Sequence, residues 1–132
     1  MIFKIDDKFE RSFIVSEPVY NGFIKTFGDN NPLHTDDQYA KNYGFKERVM
    51  HGNILNGFLS FFIGECLPVK NVVIHAQHIQ FKNPVYLNDT LLFQAVVSDI
   101  SEAVNVVEFK FSFKNGDAKV VSKGNIQIGI LT

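Results

Sequence analysis

The sequence predicts an α+β fold in which an antiparallel sheet curves around one apolar helix. Residues 54–67 carry aliphatic and phenyl side chains on more than one helical face, which is typical of a helix buried on most sides. The second half of the chain is rich in Val, Ile and Phe and alternates with a two-residue period, which indicates strands. Helical patterns followed by a run of strands are typical of the α+β class.

The composition is that of a globular protein, and the length suits a single domain, residues 1–132. A formal net charge of −1 gives no reason to expect nucleic acid or an anionic membrane as a partner. Residues 1–10 lack the apolar core of a signal peptide, and the apolar stretch is shorter than the roughly 20 residues of a membrane span. The lone Cys66 excludes an intrachain disulfide. We therefore expect a cytoplasmic protein.

Start and stop signals define three helices in the first half. Ser16, followed by Glu-Pro, is a typical N-cap, and the first helix is expected to end at Phe27, before Gly28. Its buried stripe is either Val19, Phe23 and Phe27 or Tyr20, Ile24 and Phe27.

The Asp-Asn-Asn-Pro run after Gly28 predicts a turn. Thr35 and Gln38 match a capping box, so a short helix is expected over residues 36–43, with Gly44 as its stop. The long apolar helix is expected over residues 52–67, before Pro68.

Four strands are expected in the second half, at residues 73–81, 90–100, 103–113 and 119–130, and they are predicted to form an antiparallel meander. Asn115-Gly116 predicts a hairpin turn between the last two. An early strand near residues 12–15 would complete the sheet. Such a sheet leaves edges or apolar patches to cover, so we expect a homodimer or a higher homo-oligomer.

Residues 27–36 read Phe-Gly-Asp-Asn-Asn-Pro-Leu-His-Thr-Asp and place Asp29 five positions before His34. A carboxylate and an imidazole on a loop stiffened by Asn-Pro can share one water molecule, and an imidazole exchanges protons near neutral pH. Further on, His51-Gly52 opens the long apolar helix, where a glycine amide can stabilise a developing oxyanion. The pattern indicates water chemistry beside a carbonyl group.

This pattern resembles the hydratase motif of MaoC-like proteins, which include the (R)-specific enoyl-CoA hydratases. The family pattern is approximately Ser/Thr-Gly-Asp-x-Asn-Pro-x-His-x-Asp, followed downstream by Val-His-Gly. The matching residues are Gly28, Asp29, Asn31, Pro32, His34, Asp36, His51 and Gly52. Phe27 and Met50 depart from the pattern, and both changes concern the shape of a pocket more than its chemistry.

The resemblance implies the hot-dog fold, in which a curved antiparallel sheet wraps around a central apolar helix, usually in at least a dimer. It also implies a hydro-lyase that reversibly adds water to a trans-2-enoyl thioester and gives the (R)-3-hydroxyacyl thioester. The substrate would be carried by CoA or by an acyl carrier protein, and no cofactor is implied. Asp29 and His34 would act together on one water, and the Gly52 amide would face the thioester oxygen.

Three further residues are candidates for substrate binding. Asn31 and His51 either hold the loop or contact the substrate, and Ser60 matches a serine that lines the active site in the family. Asp29, His34 and His51 could also hold a metal, but the resemblance requires none and no other metal-ligand spacing occurs. Candidates for surface contacts with the nucleotide part of CoA are Arg48, Lys70 and Lys82.

Two other functions stay open at this point. Thioesterases of this fold carry an acid on the central helix, whereas Glu65 lies at the far end of that helix, distant in sequence from Gly52. A non-catalytic acyl-binding or assembly module is favoured only by Phe27. The phenyl rings of residues 58–62 either shape a short tunnel or fill the core, so the sequence does not define the acyl chain length.

Overall fold

The computed structural model describes residues 1–132 and contains one five-stranded antiparallel sheet of order β1-β3-β4-β5-β2. The strands are β1 (Lys8–Ile14), β2 (Val72–Phe81), β3 (Thr90–Ser101), β4 (Val106–Lys114) and β5 (Val120–Ile130). The helices are α1 (Glu17–Phe27), α2 (Pro32–Thr35), α3 (Asp37–Asn42) and α4 (Asn53–Phe61), followed by a π-helical segment at Phe62–Cys66 and, later, a 3₁₀ turn at Glu102–Val104. The predicted α+β class is confirmed, with all four α-helices between the first two strands.

Strands β3, β4 and β5 form a meander whose inward faces supply most of the core. Alternate residues of β3 and β4 are buried because successive side chains of a strand point to opposite faces of the sheet. Phe109 lies opposite Val97 on one side and Ile126 on the other. A continuous row of apolar side chains therefore crosses the centre of the sheet.

The position of β2 corrects the prediction that all four later strands form one meander. β2 pairs with β5, with Ile74 opposite Ile128, and β3 pairs instead with β1, with Leu91 opposite Phe13. The connection over residues 82–89 therefore crosses from one side of the sheet to the other. With one strand added on each side of the meander, the sheet is wide enough to wrap both flanks of α4. β1 also begins earlier than the predicted strand at residues 12–15.

The central helix occupies most of the predicted range, but it changes character within it. Regular α-helix runs from Asn53 to Phe61, and the π-helical segment Phe62–Cys66 completes it. Phe62 is buried, and its ring centroid lies 4.7 Å from that of Phe93 and 5.6 Å from that of Phe9. Full burial of such a side chain stabilises the fold by about 1.5–3 kcal/mol. None of the helices combines the length and apolarity needed to cross a bilayer.

Helix α1 confirms the predicted caps but not the whole predicted stripe. The Ser16 side chain accepts a hydrogen bond from the Val19 N–H, and Gly28 adopts the left-handed conformation with φ 69°. Tyr20 is buried. Phe27, which both alternatives placed in the buried stripe, is 70% exposed, so that part of the prediction was wrong. The last turn of α1 projects beyond the core, and Phe27 borders a cavity instead.

The predicted turn after Gly28 contains one more helical turn than expected. Asn31 caps α2, a four-residue helix that begins at Pro32. Asp36, not Thr35, caps α3: its carboxylate accepts from the Gln38 and Tyr39 N–H groups. The Thr35 hydroxyl donates instead to the carbonyls of residues 30 and 31, because α2 turns it back toward the loop.

The β4–β5 connection is a hairpin, as predicted, but its loop spans residues 115–119. The Asn115 side chain accepts from the N–H groups of Asp117 and Lys119. Ala118, not Gly116, has the positive φ of 60°. The side-chain cap by Asn115 shapes this loop, so the two-residue Asn-Gly turn does not form.

Candidate functional site

The loop after α1 is stiffened by two successive side-chain caps. Asp29 Oδ1 accepts a hydrogen bond of 3.1 Å from the Asn31 N–H, and Asn31 Oδ1 accepts one of 3.0 Å from the Leu33 N–H. Pro32 fixes the first residue of α2 and needs no N–H there. The sequence Asp-x-Asn-Pro thus forms a short rigid segment that holds the Asp29 carboxylate, 47% exposed, near His34.

His34 is held by one hydrogen bond to its ring and one to its own backbone carbonyl. His34 Nδ1 lies 2.8 Å from the Val49 carbonyl oxygen, which can only accept, so Nδ1 carries a proton in this bond. In the neutral imidazole Nε2 is then a free hydrogen-bond acceptor. The Tyr20 hydroxyl donates to the His34 carbonyl at 2.5 Å and ties α2 to α1.

His51 lies behind this pair and is only 3% exposed. Its Nε2 donates to the Asp29 carbonyl oxygen at 2.9 Å, and the same nitrogen is 4.0 Å from the Asp29 carboxylate, too far for a hydrogen bond. The His51 ring centroid is 4.1 Å from that of His34 and 4.6 Å from that of Phe23. His51 Nδ1 is buried without a hydrogen-bond partner. The ring therefore braces both Asp29 and His34 from the core side.

Asp29, His34 and His51 converge on one point. Each offers a ligand atom, and these atoms lie within 4.8 Å of one another. A single water molecule between Asp29 and His34 could donate one hydrogen to the carboxylate and one to the free imidazole nitrogen. The same three groups are also those that could hold a metal ion.

Gly52 stands at the start of α4 with uncapped N–H groups beside it. The N–H groups of Ile54 and Leu55 bond to the carbonyls of residues 51 and 52, and no side chain caps the helix. A Cβ on Gly52 would lie 2.9 Å from Phe81 Cε1, so a side chain here would displace the Phe81 ring. A backbone donor at this position is open to an oxyanion.

Two cavities meet at the first residue of α4, Asn53, which lines both. The larger has a volume of about 1240 Å³ and is lined by Asp29 and by phenyl rings that include Phe23, Phe27 and Phe58. The smaller has a volume of about 470 Å³, and its walls include His34, His51, Gly52, Phe81 and Lys82. The carboxylate thus borders one cavity, and the imidazole and the glycine border the other. Together they form a site with an apolar side and a polar side.

The side chains of three other candidate residues border neither cavity. Asn31 is exposed and its side chain caps α2, while Ser60 is exposed on α4 and borders neither cavity. Glu65 is 3.3 Å from Lys70 Nζ in an exposed ion pair and also borders neither cavity. The acid required on the central helix by the thioesterase hypothesis is therefore not in this site.

Arg48 is occupied by contacts within the fold. Its guanidinium lies 3.2 Å from the Asp37 carboxylate and 5.3 Å above the Tyr20 ring. The Arg48 backbone N–H, and then its guanidinium, hold the pKa of Asp37 below its usual value of 3.8. Burial opposes the charge of Arg48, but hydrogen bonds with Asp37 and Tyr20 raise the pKa of Arg48 on balance. The loop that supplies the Val49 carbonyl is thereby fastened to α3.

Neither Tyr20 nor the Val49 carbonyl carries a functional signal in the sequence. Tyr20 belongs to one of the two alternative buried stripes predicted for α1. The 3.6-residue periodicity of that stripe correctly predicts that Tyr20 is buried. The hydrogen bond from its hydroxyl to the His34 carbonyl, fourteen residues away, depends instead on how α1 packs against α2. A tyrosine within an otherwise aliphatic or phenyl stripe is the only hint, because a buried hydroxyl needs a partner.

The fold and the site define a hot-dog protein with a hydratase-type Asp/His loop beside the start of its central helix. A sequence model of the MaoC-like domain matches residues 5–115, and the chain belongs to this family. The family resemblance predicted from the motif is thus confirmed.

Relatives with assigned activities share a moderate fraction of the sequence. The chain is 29% identical over 126 residues to the mitochondrial 3-hydroxyacyl-(acyl-carrier-protein) dehydratase of Arabidopsis thaliana, covering 93% of this chain and 75% of that protein. It is 33% identical over 82 residues to the (R)-specific enoyl-CoA hydratase of Rhodospirillum rubrum, covering 62% of this chain and 57% of that one. The chain thus spans little more than half the length of some relatives.

Solved structures confirm the hot-dog fold. An (R)-hydratase from A. caviae superposes with a TM-score of 0.90 at 22% identity, covering 98% of both chains, and this likeness concerns the fold alone. An R-hydratase from Pseudomonas aeruginosa superposes with a TM-score of 0.87 at 29% identity, covering 97% of this chain and 82% of that one.

Proposed function

We propose that this protein is a hydro-lyase that reversibly adds water to a trans-2-enoyl thioester and forms the (R)-3-hydroxyacyl thioester. The observation that carries the proposal is the convergence of Asp29 and His34 within 4.8 Å, with His34 Nε2 left as a free acceptor. The relatives named as (R)-specific enoyl-CoA hydratase and 3-hydroxyacyl-(acyl-carrier-protein) dehydratase support the same reaction in both carrier classes.

In the proposed mechanism, Asp29 and His34 hold one water between them. As the water oxygen bonds to Cβ of the enoyl group, one of its protons passes to this pair and a proton is delivered from the pair to Cα on the same face. The two groups thus return to their starting protonation states, and the net change is addition of H and OH. Because Asp29 and His34 hold the water in place, the reaction does not depend on a chance encounter between water and the enoyl group in bulk solvent.

Gly52 is proposed to bind the thioester oxygen through its N–H. Negative charge develops on that oxygen as the Cβ–O bond forms, and one backbone donor of this kind is worth about 10²–10³ in rate. The lack of a side-chain cap on α4 supports this role, because the N–H groups at the helix start need an external partner. Asn31 and His51 are proposed to hold Asp29 and His34 in place.

Ser60 is exposed in the single chain, so we propose it as a substrate contact only within an assembled oligomer.

The exposed edge of β2 supports a homodimer. This ten-residue strand contains no Lys, Arg, Asp or Glu, and its Val73 and Phe81 side chains are 43% and 52% exposed. A long uncharged edge strand invites pairing with another copy, whereas the opposite edge, β1, carries three charges.

The dimer proposal is tested by light scattering coupled to size exclusion. The wild-type chain is expected to elute as a dimer, and the double variant His78→Lys, Gln80→Lys is expected to shift toward monomer because the new charges oppose strand pairing. A monomeric wild type at micromolar concentration would contradict the proposal.

The activity is tested by the loss of absorbance of the conjugated enoyl thioester on hydration. Substrates are short and long enoyl-CoA thioesters and the same acyl groups on acyl carrier protein, which also separates the two carriers. Asp29→Asn and His34→Gln are each expected to lower kcat by at least about 10²-fold, since each removes a group that handles the water proton. Asp99→Asn on β3 is the matched control. Hydration by neither carrier class, or full activity in both site variants, would refute the proposal.

A further inference from the structure

The larger cavity contains one cation that the proposed mechanism does not use. Of the residues that line it, only Arg11 and Asp29 are charged. Asp29 belongs to the water-binding pair, whereas Arg11 comes from β1 on another wall of the cavity. An arginine on the wall of a largely apolar cavity is a candidate for ligand recognition.

The register of β1 turns Arg11 toward the inside of the sheet. Arg11 lies opposite Phe93, and its neighbours on the same face are Phe9 and Phe13, which pack into the core. The guanidinium carbon is 4.9 Å from the centroid of the Phe61 ring and 5.9 Å from that of Phe13. Arg11 is exposed, and two phenyl rings flank its guanidinium at the rim of the cavity.

Arg11 has no acidic partner. No carboxylate lies within 4.0 Å of its guanidinium, and the side chain makes no hydrogen bond within the chain. The adjacent acid, Glu10, points to the opposite face and accepts from Gln94. Contact with an aromatic face leaves the in-plane N–H groups of a guanidinium free, and these N–H groups match a carboxylate or phosphate.

We propose that Arg11 binds an anionic group of the thioester substrate. This inference rests on the proposed hydratase function and narrows its substrate class. The anionic group is either a carboxylate at the far end of the acyl chain or a phosphate of the carrier, and both offer oxygens to the same N–H groups. The phenyl-lined wall between Arg11 and Asp29 would contact the apolar part of the substrate.

The test compares three thioesters that share one reacting enoyl group. They are trans-2-hexenoyl-CoA, the matching trans-2-hexenedioyl-CoA with a terminal carboxylate, and the trans-2-hexenoyl thioester of N-acetylcysteamine, which has no phosphate. Each is assayed with the wild type, Arg11→Met, Arg11→Lys and the control Lys8→Met. Lys8 lies on the same strand but on its outer face, so the control removes a charge without touching the cavity.

Arg11→Met is expected to lower kcat/KM by about ten-fold, mainly through KM, only for substrates that carry the bound anion. A loss confined to the hexenedioyl thioester identifies the acyl carboxylate, and a loss on both CoA thioesters but not on the cysteamine thioester identifies the phosphate. Arg11→Lys should retain part of the effect because it keeps the charge but not the planar donors.

If Arg11→Met and the wild type have the same kcat/KM on each of the three thioesters, the inference is wrong, whereas the hydratase function is unaffected. A wild type inactive on all three, and also on the enoyl thioesters of CoA and acyl carrier protein used above, would instead refute the proposed function, and the inference with it. Because an inward charge on an edge strand also discourages aggregation, each variant is checked by size exclusion. A uniform loss that follows aggregation counts against a binding role.

Discussion

Tyr20→Phe tests whether the hydroxyl of Tyr20 is a positioning device for His34. The substitution removes only the hydroxyl that donates to the His34 carbonyl at 2.5 Å. The ring that remains still packs 5.9 Å from the His51 ring and beneath the Arg48 guanidinium. The variant therefore removes the hydrogen bond between α1 and α2, together with the contact of the same hydroxyl with Arg48.

The expected effects on stability and on activity differ in size. Loss of one partly buried hydrogen bond costs about 1 kcal/mol of unfolding free energy. The four residues of α2 are too few to hold a helix by themselves, so its position depends on such external bonds. A displacement of about 1 Å at a reacting group can cost about 10²-fold in rate. Because the bond from His34 Nδ1 to Val49 remains, we expect a fall in kcat of about ten-fold with little change in KM.

The assay is steady-state hydration of an enoyl-CoA, paired with urea denaturation of the same protein. Tyr86→Phe is the matched control: its hydroxyl accepts a 3.2 Å bond from the Lys46 N–H, and Tyr86 borders neither site cavity. The control should lose less stability, because its hydrogen bond is exposed, and should keep its kcat. If both variants keep wild-type kcat, or if both lose it in proportion to stability, the positioning argument for Tyr20 is incorrect.

Three further predictions concern the core, the loop and the helix start. Phe62→Ala should lower the unfolding free energy by about 3–5 kcal/mol in urea denaturation, and a loss below about 1 kcal/mol would mean that the ring is not packed as described. Asp37→Asn should destabilise the protein at neutral pH but not in acid. The pKa of Asp37 in the folded protein lies below its value of 3.8 in the unfolded chain, so the carboxylate stabilises the fold above pH 3.8. That contribution is lost as the pH falls through the lower, folded-state pKa. A difference that persists unchanged in strong acid would exclude the Arg48 contact as its cause. Gly52→Ala should reduce hydration because its Cβ would meet the Phe81 ring, and adding Phe81→Leu should restore part of the rate; no rescue would point to the backbone instead.

Predictions that depended on neighbouring residues agreed well with the structure. Ser16 and Gly28 cap α1 because capping joins a side chain or a left-handed residue to backbone only a few positions away. The stiff Asp-x-Asn-Pro segment follows for the same reason. Even here one cap was misassigned: Asp36 competes with Thr35 for the start of α3, and the α2 turn decides which of them faces the free N–H groups.

The site was only partly predictable because its geometry comes from distant segments. The motif indicated Asp29 and His34 as partners, but the Val49 carbonyl that fixes the His34 tautomer comes from a loop fifteen residues later. Tyr20 and Arg11 carried no functional signal in the sequence, since each acquires its contacts only when α1 and β1 pack beside the helix start.

The amino-acid order alone determined the two caps of α1, the period of the strands and the acid–histidine loop, because each involves residues that meet within one or two turns of chain. Only the tertiary structure decided that β2 joins β5, that Phe27 stays exposed and that His51 is buried behind Asp29 and His34. Those outcomes depend on which segments, distant in sequence, bury their apolar surfaces against each other. The hydrophobic effect is not directional, so local sequence does not specify which segments pair in this way.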